Sequence, residues 1–210
     1  MKLFGYFRSS ASYRVRIALN LKGLACEQVA INLKAGEQLS EEYQALNPQR
    51  LVPALSHDGH LITQSLAIMA YLDETFPDRQ LVVGTAVNRA KIRAIAATVA
   101  CDTQPLQNLR VLKYLSGELQ VSDEQRLKWT QHWISDGLNA VEKMVEEEGF
   151  CVGSIPTLAD VCLIPQIYNA RRFNIDMSAY PKLSAIEARC ETLDAFADAH
   201  PSVQPDFVAD

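Results

Sequence analysis

The sequence predicts a small α/β domain followed by an all-helical one. Three observations carry this reading. Short strand and helix patterns alternate over residues 1–80, strand patterns all but vanish beyond Pro77-Asp78, and helical periodicity fills most of the remainder. A chain of 210 residues with 48% hydrophobic content can bury the core that either half needs.

In the first half, Lys2 to Tyr6 reads as a strand and Arg8-Ser9-Ser10 as a turn. Tyr13 to Leu21 then carries Val15, Ile17, Ala18, Leu19 and Leu21 at helical spacing, and Lys22-Gly23 supplies a cation and a glycine stop. Cys26 to Leu33 is strand-like. Ser40 caps a short helix through Leu46, which Asn47-Pro48 breaks. Strands Ala54–Ser56 and Leu61–Thr63 flank His57-Asp58-Gly59-His60, whose Asp-Gly is a hairpin signal, and Gln64 to Phe76 is a helix. The order β-α-β-α-β-β-α joins a parallel crossover to a hairpin, a thioredoxin-like layout over residues 1–80.

The segment Pro77–Val87 reads as a linker, and residues 88–210 as the all-helical domain. Its helices are expected over Asn88–Leu115, Ser122–Glu148, Thr157–Phe173 and Pro181–Ala199. Thr157-Leu158-Ala159-Asp160 has the form of a capping box. The tail His200–Asp210, with two prolines, is expected to be extended or frayed.

Composition excludes several functions. A net charge of −5 offers no footprint for nucleic acid or an anionic membrane. No apolar run approaches the roughly 20 residues of a membrane helix, and the N-terminus lacks a signal-peptide pattern, so a cytoplasmic location is expected. Cys26, Cys101, Cys151, Cys162 and Cys190 are scattered, without a Cys-x-x-Cys pair, and the four histidines form no ligand pattern. Neither metal binding nor dithiol chemistry is indicated. Sulfur chemistry, if there is any, must use sulfur from elsewhere.

Three segments carry chemical signals. Arg8-Ser9-Ser10-Ala11-Ser12-Tyr13-Arg14-Val15-Arg16 precedes and opens the first helix, where hydroxyls and open amides suit an anion such as a thiolate. Val52-Pro53 stands at a strand entry. A cis bond there would turn the Val52 backbone towards a peptide-like ligand, but only about 5–6% of X-Pro bonds are cis. Gln64-Ser65 begins another helix, suited to a carboxylate. Each signal alone is also explained by ordinary capping or a strand-start proline.

Together they resemble the zeta class of glutathione transferases, the family of maleylacetoacetate and maleylpyruvate isomerases. The resemblance rests on Ser9 to Leu19, Gln44-Ala45-Leu46-Asn47-Pro48, Val52-Pro53 and Gln64-Ser65-Leu66-Ala67-Ile68. Gln104-Pro105-Leu106-Gln107-Asn108-Leu109, Thr157-Leu158-Ala159-Asp160, Arg172-Phe173 and Gln204-Pro205-Asp206 extend it almost end to end.

The resemblance implies the glutathione transferase fold and a homodimer. It also implies glutathione as cofactor for the cis–trans isomerisation of a small maleyl keto acid, maleylacetoacetate, in aromatic amino-acid catabolism. Ser9, with Ser10 beside it, is implied to hold the glutathione sulfur. Gln38 and the Val52 backbone are implied to contact the cysteinyl-glycine part, and Gln64 and Ser65 the γ-glutamyl end. Gln104 and Asn108 would close over the cofactor, and Arg8, Arg110 and Arg172 are the candidates for carboxylates. Arg14 and Arg16 read as structural or surface cations. Arg171 and Arg172 point about 100° apart on a helix, so at most one faces a pocket, and the resemblance favours Arg172. One departure stands out: Ala11 occupies a position where the class commonly has cysteine or threonine, so that side chain contributes no donor or thiol. The rival readings are maleylpyruvate isomerase, a general glutathione transferase, and a non-catalytic module of the same fold.

Overall fold

In the computed structural model, which describes residues 1–209, a four-stranded sheet is built from β1 (Lys2–Gly5), β2 (Glu27–Ala30), β3 (Ala54–His57) and β4 (His60–Thr63), in the order β2-β1-β3-β4. β1 runs parallel to β2 and antiparallel to β3, with Leu3 opposite Gln28 and Leu55. The β3–β4 hairpin turns through Asp58 and Gly59 at φ 48° and 79°, the two positive values its Asp-Gly signal requires. Helices α1 (Ser10–Lys22), α2 (Glu41–Leu46) and α3 (Ser65–Thr75) complete the α/β layout expected for the first half.

The apolar periodicity of α1 has a direct structural product. Val15 and Leu19 meet Leu3, Leu55, Ile68 and Leu72 in a fully buried cluster of sheet and helix residues. Each such side chain contributes roughly 1.5–3 kcal/mol of burial. α1 stops at Gly23, whose φ of 68° is left-handed and whose N–H returns to the Leu19 and Asn20 carbonyls. Lys22 does more than favour a helix end. It is buried, with Nζ 2.9 Å from Asp73 Oδ1 and bonded to the Asp78 and Arg79 carbonyls, tying α1 to the end of α3.

The chain divides into two units, Met1–Leu81 with Glu191–Asp210, and Val82–Cys190. The second contains α4 (Ala86–Ala97), α5 (Leu109–Gly117), α6 (Asp123–Met144) and α7 (Leu158–Arg172). α8 spans Pro181–Glu191 and α9 Asp194–Ala197. The single helix expected over Asn88–Leu115 is interrupted. A π-helical stretch, Thr98–Thr103, leads into a 3-10 turn, Gln104–Gln107, containing Pro105, which has no N–H to continue the ladder. Asn108 then caps α5 afresh. The helix expected through Glu148 ends at Met144, and Pro181–Ala199 is split into α8 and α9. α7 is buried along most of its length, Pro165 included. At its start, Asp160 accepts from the Thr157 N–H at 2.7 Å, the Thr157 hydroxyl at 2.9 Å and the Cys151 N–H at 2.7 Å.

The tail departs from the sequence reading. Glu191–Asp210 falls with the first unit rather than with residues 88–190. Part of the segment expected to be extended or frayed is tied down, with Pro201 buried and Asp206 Oδ2 accepting from the Phe7 N–H at 2.8 Å; just before it Arg16 Nε donates to the Ala199 carbonyl at 3.1 Å and Asn20 to the Ala195 carbonyl at 3.0 Å. These anchors join residues far apart in sequence, so no local pattern reveals them. The last residue of that tail, Asp210, lies outside the described residues. Among the described residues no helix is long and apolar enough to cross a membrane.

Candidate active site

The β1–α1 connection is a tight turn in which the Ser9 N–H returns to the Tyr6 carbonyl at 3.0 Å. Ser9 then caps α1, its hydroxyl oxygen accepting from the Ser12 N–H at 3.2 Å. That bond uses an oxygen lone pair and leaves the hydroxyl proton to donate. Ser10 is buried as the first helical residue, Arg8 and Ser9 are half-buried, and Ala11 follows on α1. Hydroxyl, first-turn amides and the positive helix end therefore converge at one place.

The Val52–Pro53 bond is cis. Val52 is buried in one cluster with Tyr6, Phe7 and Tyr43, which brings the proline-entered strand beside the β1–α1 turn. The carbonyl just before it is held twice, by the Tyr43 hydroxyl and by Asn47 Nδ2, each 2.8 Å from Leu51 O. Asn47, read in the sequence only as a helix breaker, is thus a buried support of this segment. Gln38 lies on a short 3-10 turn, Glu37–Leu39, and its Oε1 is buried with no hydrogen-bond partner among the described residues.

At the third segment, Gln64 adopts φ 70°, ψ 119°, a left-handed-side value rare for a residue with a side chain. Its amide reaches Gln49 Oε1 at 3.0 Å and is exposed. Ser65 opens α3, is buried, and accepts from Arg14 Nη1 at 3.3 Å. Sequence reasoning placed Arg14 among structural or surface cations, yet only 1% of it is exposed. The signal was available: Arg14 stands three and four residues before Ile17 and Ala18, on the core face of α1. Arg16 is buried too, and bonds to main-chain carbonyls.

The remaining candidates lie in the second unit. Gln104 opens the 3-10 turn and is half-buried. Asn108 uses its side-chain oxygen to accept from the Arg110 N–H at 3.1 Å, and Arg110 itself is exposed on α5. Arg171 is engaged by Glu187 through both Nε and Nη2. Arg172 takes another direction: Nη1 donates to Asn169 Oδ1 at 3.1 Å, and its guanidinium lies near the Tyr168 and Phe173 rings. Behind it, Asn169 and Gln166 both meet Gln107, a buried amide chain along one face of α7.

Two of the protein's own thiols, those of Cys151 and Cys26, are poorly suited to form thiolates. Burial pushes the Cys151 thiol well above its ordinary value, aided by the nearby Asp160 carboxylate, and burial raises Cys26 as well. Among the described residues no disulfide forms. In the first unit, a cavity of about 360 Å³ is bounded by Phe7, Arg8, Asn32, Lys34 and Asp206, next to the Ser9 turn.

Comparison with known proteins shows the family and the fold. Residues 1–74 match the model of the glutathione S-transferase N-terminal domain. The mouse maleylacetoacetate isomerase is 48% identical over 212 residues, covering 99% of this chain and 95% of that protein. Two solved structures superpose closely. One is the holo form of a bacterial zeta-class maleylpyruvate isomerase (TM-score 0.96, 42% identity, 99% of this chain and 100% of that one). The other is the maleylacetoacetate isomerase of Methylobacterium extorquens AM1 with malonate and glutathione bound (TM-score 0.95, 41% identity, 100% of both chains). The chain belongs to the zeta-class glutathione transferases, the family of the maleylacetoacetate isomerases.

Proposed function

We propose that this protein is a glutathione-dependent cis–trans isomerase converting maleylacetoacetate to its fumaryl isomer. The observation that carries the reading is the Ser9 cap, whose hydroxyl accepts from the Ser12 N–H and keeps a proton to donate at the positive start of α1. The residues suit glutathione on their own chemistry. A tripeptide with two carboxylates, a thiol and several N–H groups needs a donor for a terminal carboxylate, a donor for the sulfur and an acceptor for an N–H. Ser65 at the α3 start, backed by the buried Arg14 cation, offers the first, and the α1 start a second. The buried, unpartnered Gln38 Oε1 offers an acceptor for an N–H.

What glutathione supplies when bound is a recyclable sulfur nucleophile for an electron-poor cis double bond. Ser9, with Ser10 and the amides after it, holds that sulfur in its anionic form through donation and the helix dipole. The Val52 backbone and Gln38 orient the peptide part, and Gln64 and Ser65 hold its γ-glutamyl end. Arg8 and Arg172 bind substrate carboxylates and favour developing negative charge, because a planar guanidinium grips a carboxylate in two places. Gln104, Asn108 and Arg110 are assigned to cofactor contact, with Arg110 a further candidate for a carboxylate. The raised thiols of Cys26 and Cys151, and the absence of any thiol at Ala11, are consistent with a sulfur borrowed from the cofactor.

The choice of maleylacetoacetate over maleylpyruvate is supported by the 48% identity to the mouse maleylacetoacetate isomerase, the two solved structures, at 41% and 42%, not separating the substrates. Action in the cytoplasm as a homodimer completes the proposal. The test is Ser9→Ala: the pKa of the bound thiol should rise and turnover fall by about 10²-fold. Unchanged values of both would remove Ser9 from its role.

A further inference from the structure

Phe7 is the corner of the Tyr6–Ser9 turn, and both of its peptide groups are held from outside that turn. Its N–H donates to Asp206 Oδ2 at 2.8 Å, and its carbonyl accepts from Arg16 Nη2 at 2.9 Å. Phe7 is only 3% exposed, so an N–H left without an acceptor there carries the full cost of desolvation. The acceptor comes from the far end of the chain, 199 residues away. The attachment is broader than one bond. The Phe7 and Phe207 rings meet edge to face at 5.5 Å, and Arg16 also holds the Ala199 carbonyl that begins the tail. Asp206 further forms part of the cavity wall that includes Phe7 and Arg8.

We propose that Asp206 is a positioning residue for the thiol site: the C-terminal strap fixes the Phe7 peptide and thereby the direction of the Arg8–Ser9 segment. A two-residue turn has few freedoms. With Tyr6 and Ser9 joined by their own hydrogen bond, the orientation of the Phe7 peptide decides where the Ser9 hydroxyl and the following amides point. Small displacements at such a site are felt strongly in rate, because donors act only when aimed at the developing charge. The tail therefore acts on chemistry through the turn, without touching the reacting atoms. This inference rests on the reading of the turn and the α1 start as the thiol site.

The test compares the full chain with Asp206→Ala, Asp206→Asn and Ser9→Ala. Two readouts are used: hydrogen exchange of the Phe7 amide without glutathione, and the pKa of bound glutathione from thiolate absorbance, alongside kcat and KM. In Asp206→Ala, Phe7 amide exchange should accelerate at least 10-fold and the bound-thiol pKa should rise. kcat should fall about 10-fold near neutral pH and recover in alkaline buffer, with KM for glutathione little changed. Asp206→Asn, which keeps an oxygen acceptor, should restore most of the protection and rate. A folded Asp206→Ala chain with the parental thiol pKa, while Ser9→Ala shifts it, overturns this proposal alone. A shift in Asp206→Ala with none in Ser9→Ala supports positioning of the turn amides and overturns the Ser9 assignment. No shift in either variant overturns both.

Discussion

Arg14 Nη1 donates to the Ser65 hydroxyl oxygen across 3.3 Å, linking the start of α3 to a cation buried in the middle of α1. This bond joins two of the helix segments that the sequence flagged separately. It places a guanidinium behind the residue proposed to hold the γ-glutamyl end.

Ser65→Ala should weaken glutathione binding by about 10-fold, since hydrogen bonds to charged groups contribute roughly 1.5–3 kcal/mol. Titration calorimetry measures this directly. Turnover at saturating glutathione should change little, because the sulfur end is held elsewhere. An unchanged Kd would remove Ser65 from the site.

The two adjacent arginines should separate cleanly. Arg172→Ala should lower kcat/KM for the maleyl substrate by on the order of 10²-fold while leaving glutathione affinity intact. Arg172→Lys should recover only part, since an ammonium cannot bind a carboxylate in two places. Arg171→Ala should leave turnover unchanged and lower stability by roughly 1–3 kcal/mol, because Arg171 is half exposed but its partner Glu187 is buried and would be left without its cation.

Gly137 of α6 is a contact glycine. A Cβ there would stand 2.1 Å from Thr103 Oγ1, so Gly137→Ala should destabilise by about 1–3 kcal/mol despite the roughly 1 kcal/mol that alanine normally adds to a helix. Adding Thr103→Ala should recover most of the loss. Denaturant titration of the two variants decides the matter.

Asp160 makes an acid-side prediction. Burial raises its carboxyl above the ordinary value, outweighing the hydrogen bonds from Cys151 and Thr157 that lower it. Its stabilising contribution is therefore full below the unfolded carboxylate range and declines as pH rises through the folded pKa. The stability gap between the parent and Asp160→Asn should accordingly be widest in acid and narrow towards neutrality. Asp160→Ala, which strips acceptors from two buried N–H groups, should cost on the order of 3–5 kcal/mol at any pH.

The α/β layout was legible because its signals are local: apolar spacing in α1, the Asp58-Gly59 hairpin and the Thr157–Asp160 box each act within a few residues. The break at Pro105 was visible as a proline but hidden by the strong helical pattern on either side. The Ser9, Val52 and Ser65 positions could be proposed from resemblance. Their supports could not, because Arg14, Asn47 and Asp206 act through contacts between distant parts of the chain. The docked tail was missed for the same reason. Its anchors are a buried arginine and single carbonyls, which leave no periodic trace.

The proposed role of Ser9, holding the sulfur of glutathione for a cis–trans isomerisation, can be tested directly. The most direct measurement follows conversion of maleylacetoacetate, and in parallel maleylpyruvate, by the purified chain with and without glutathione. Turnover of maleylacetoacetate is expected only when glutathione is present, at the higher kcat/KM of the two substrates, with the glutathione recovered unchanged. Isomerisation without added glutathione, or its stoichiometric consumption into a stable conjugate, would contradict that expectation.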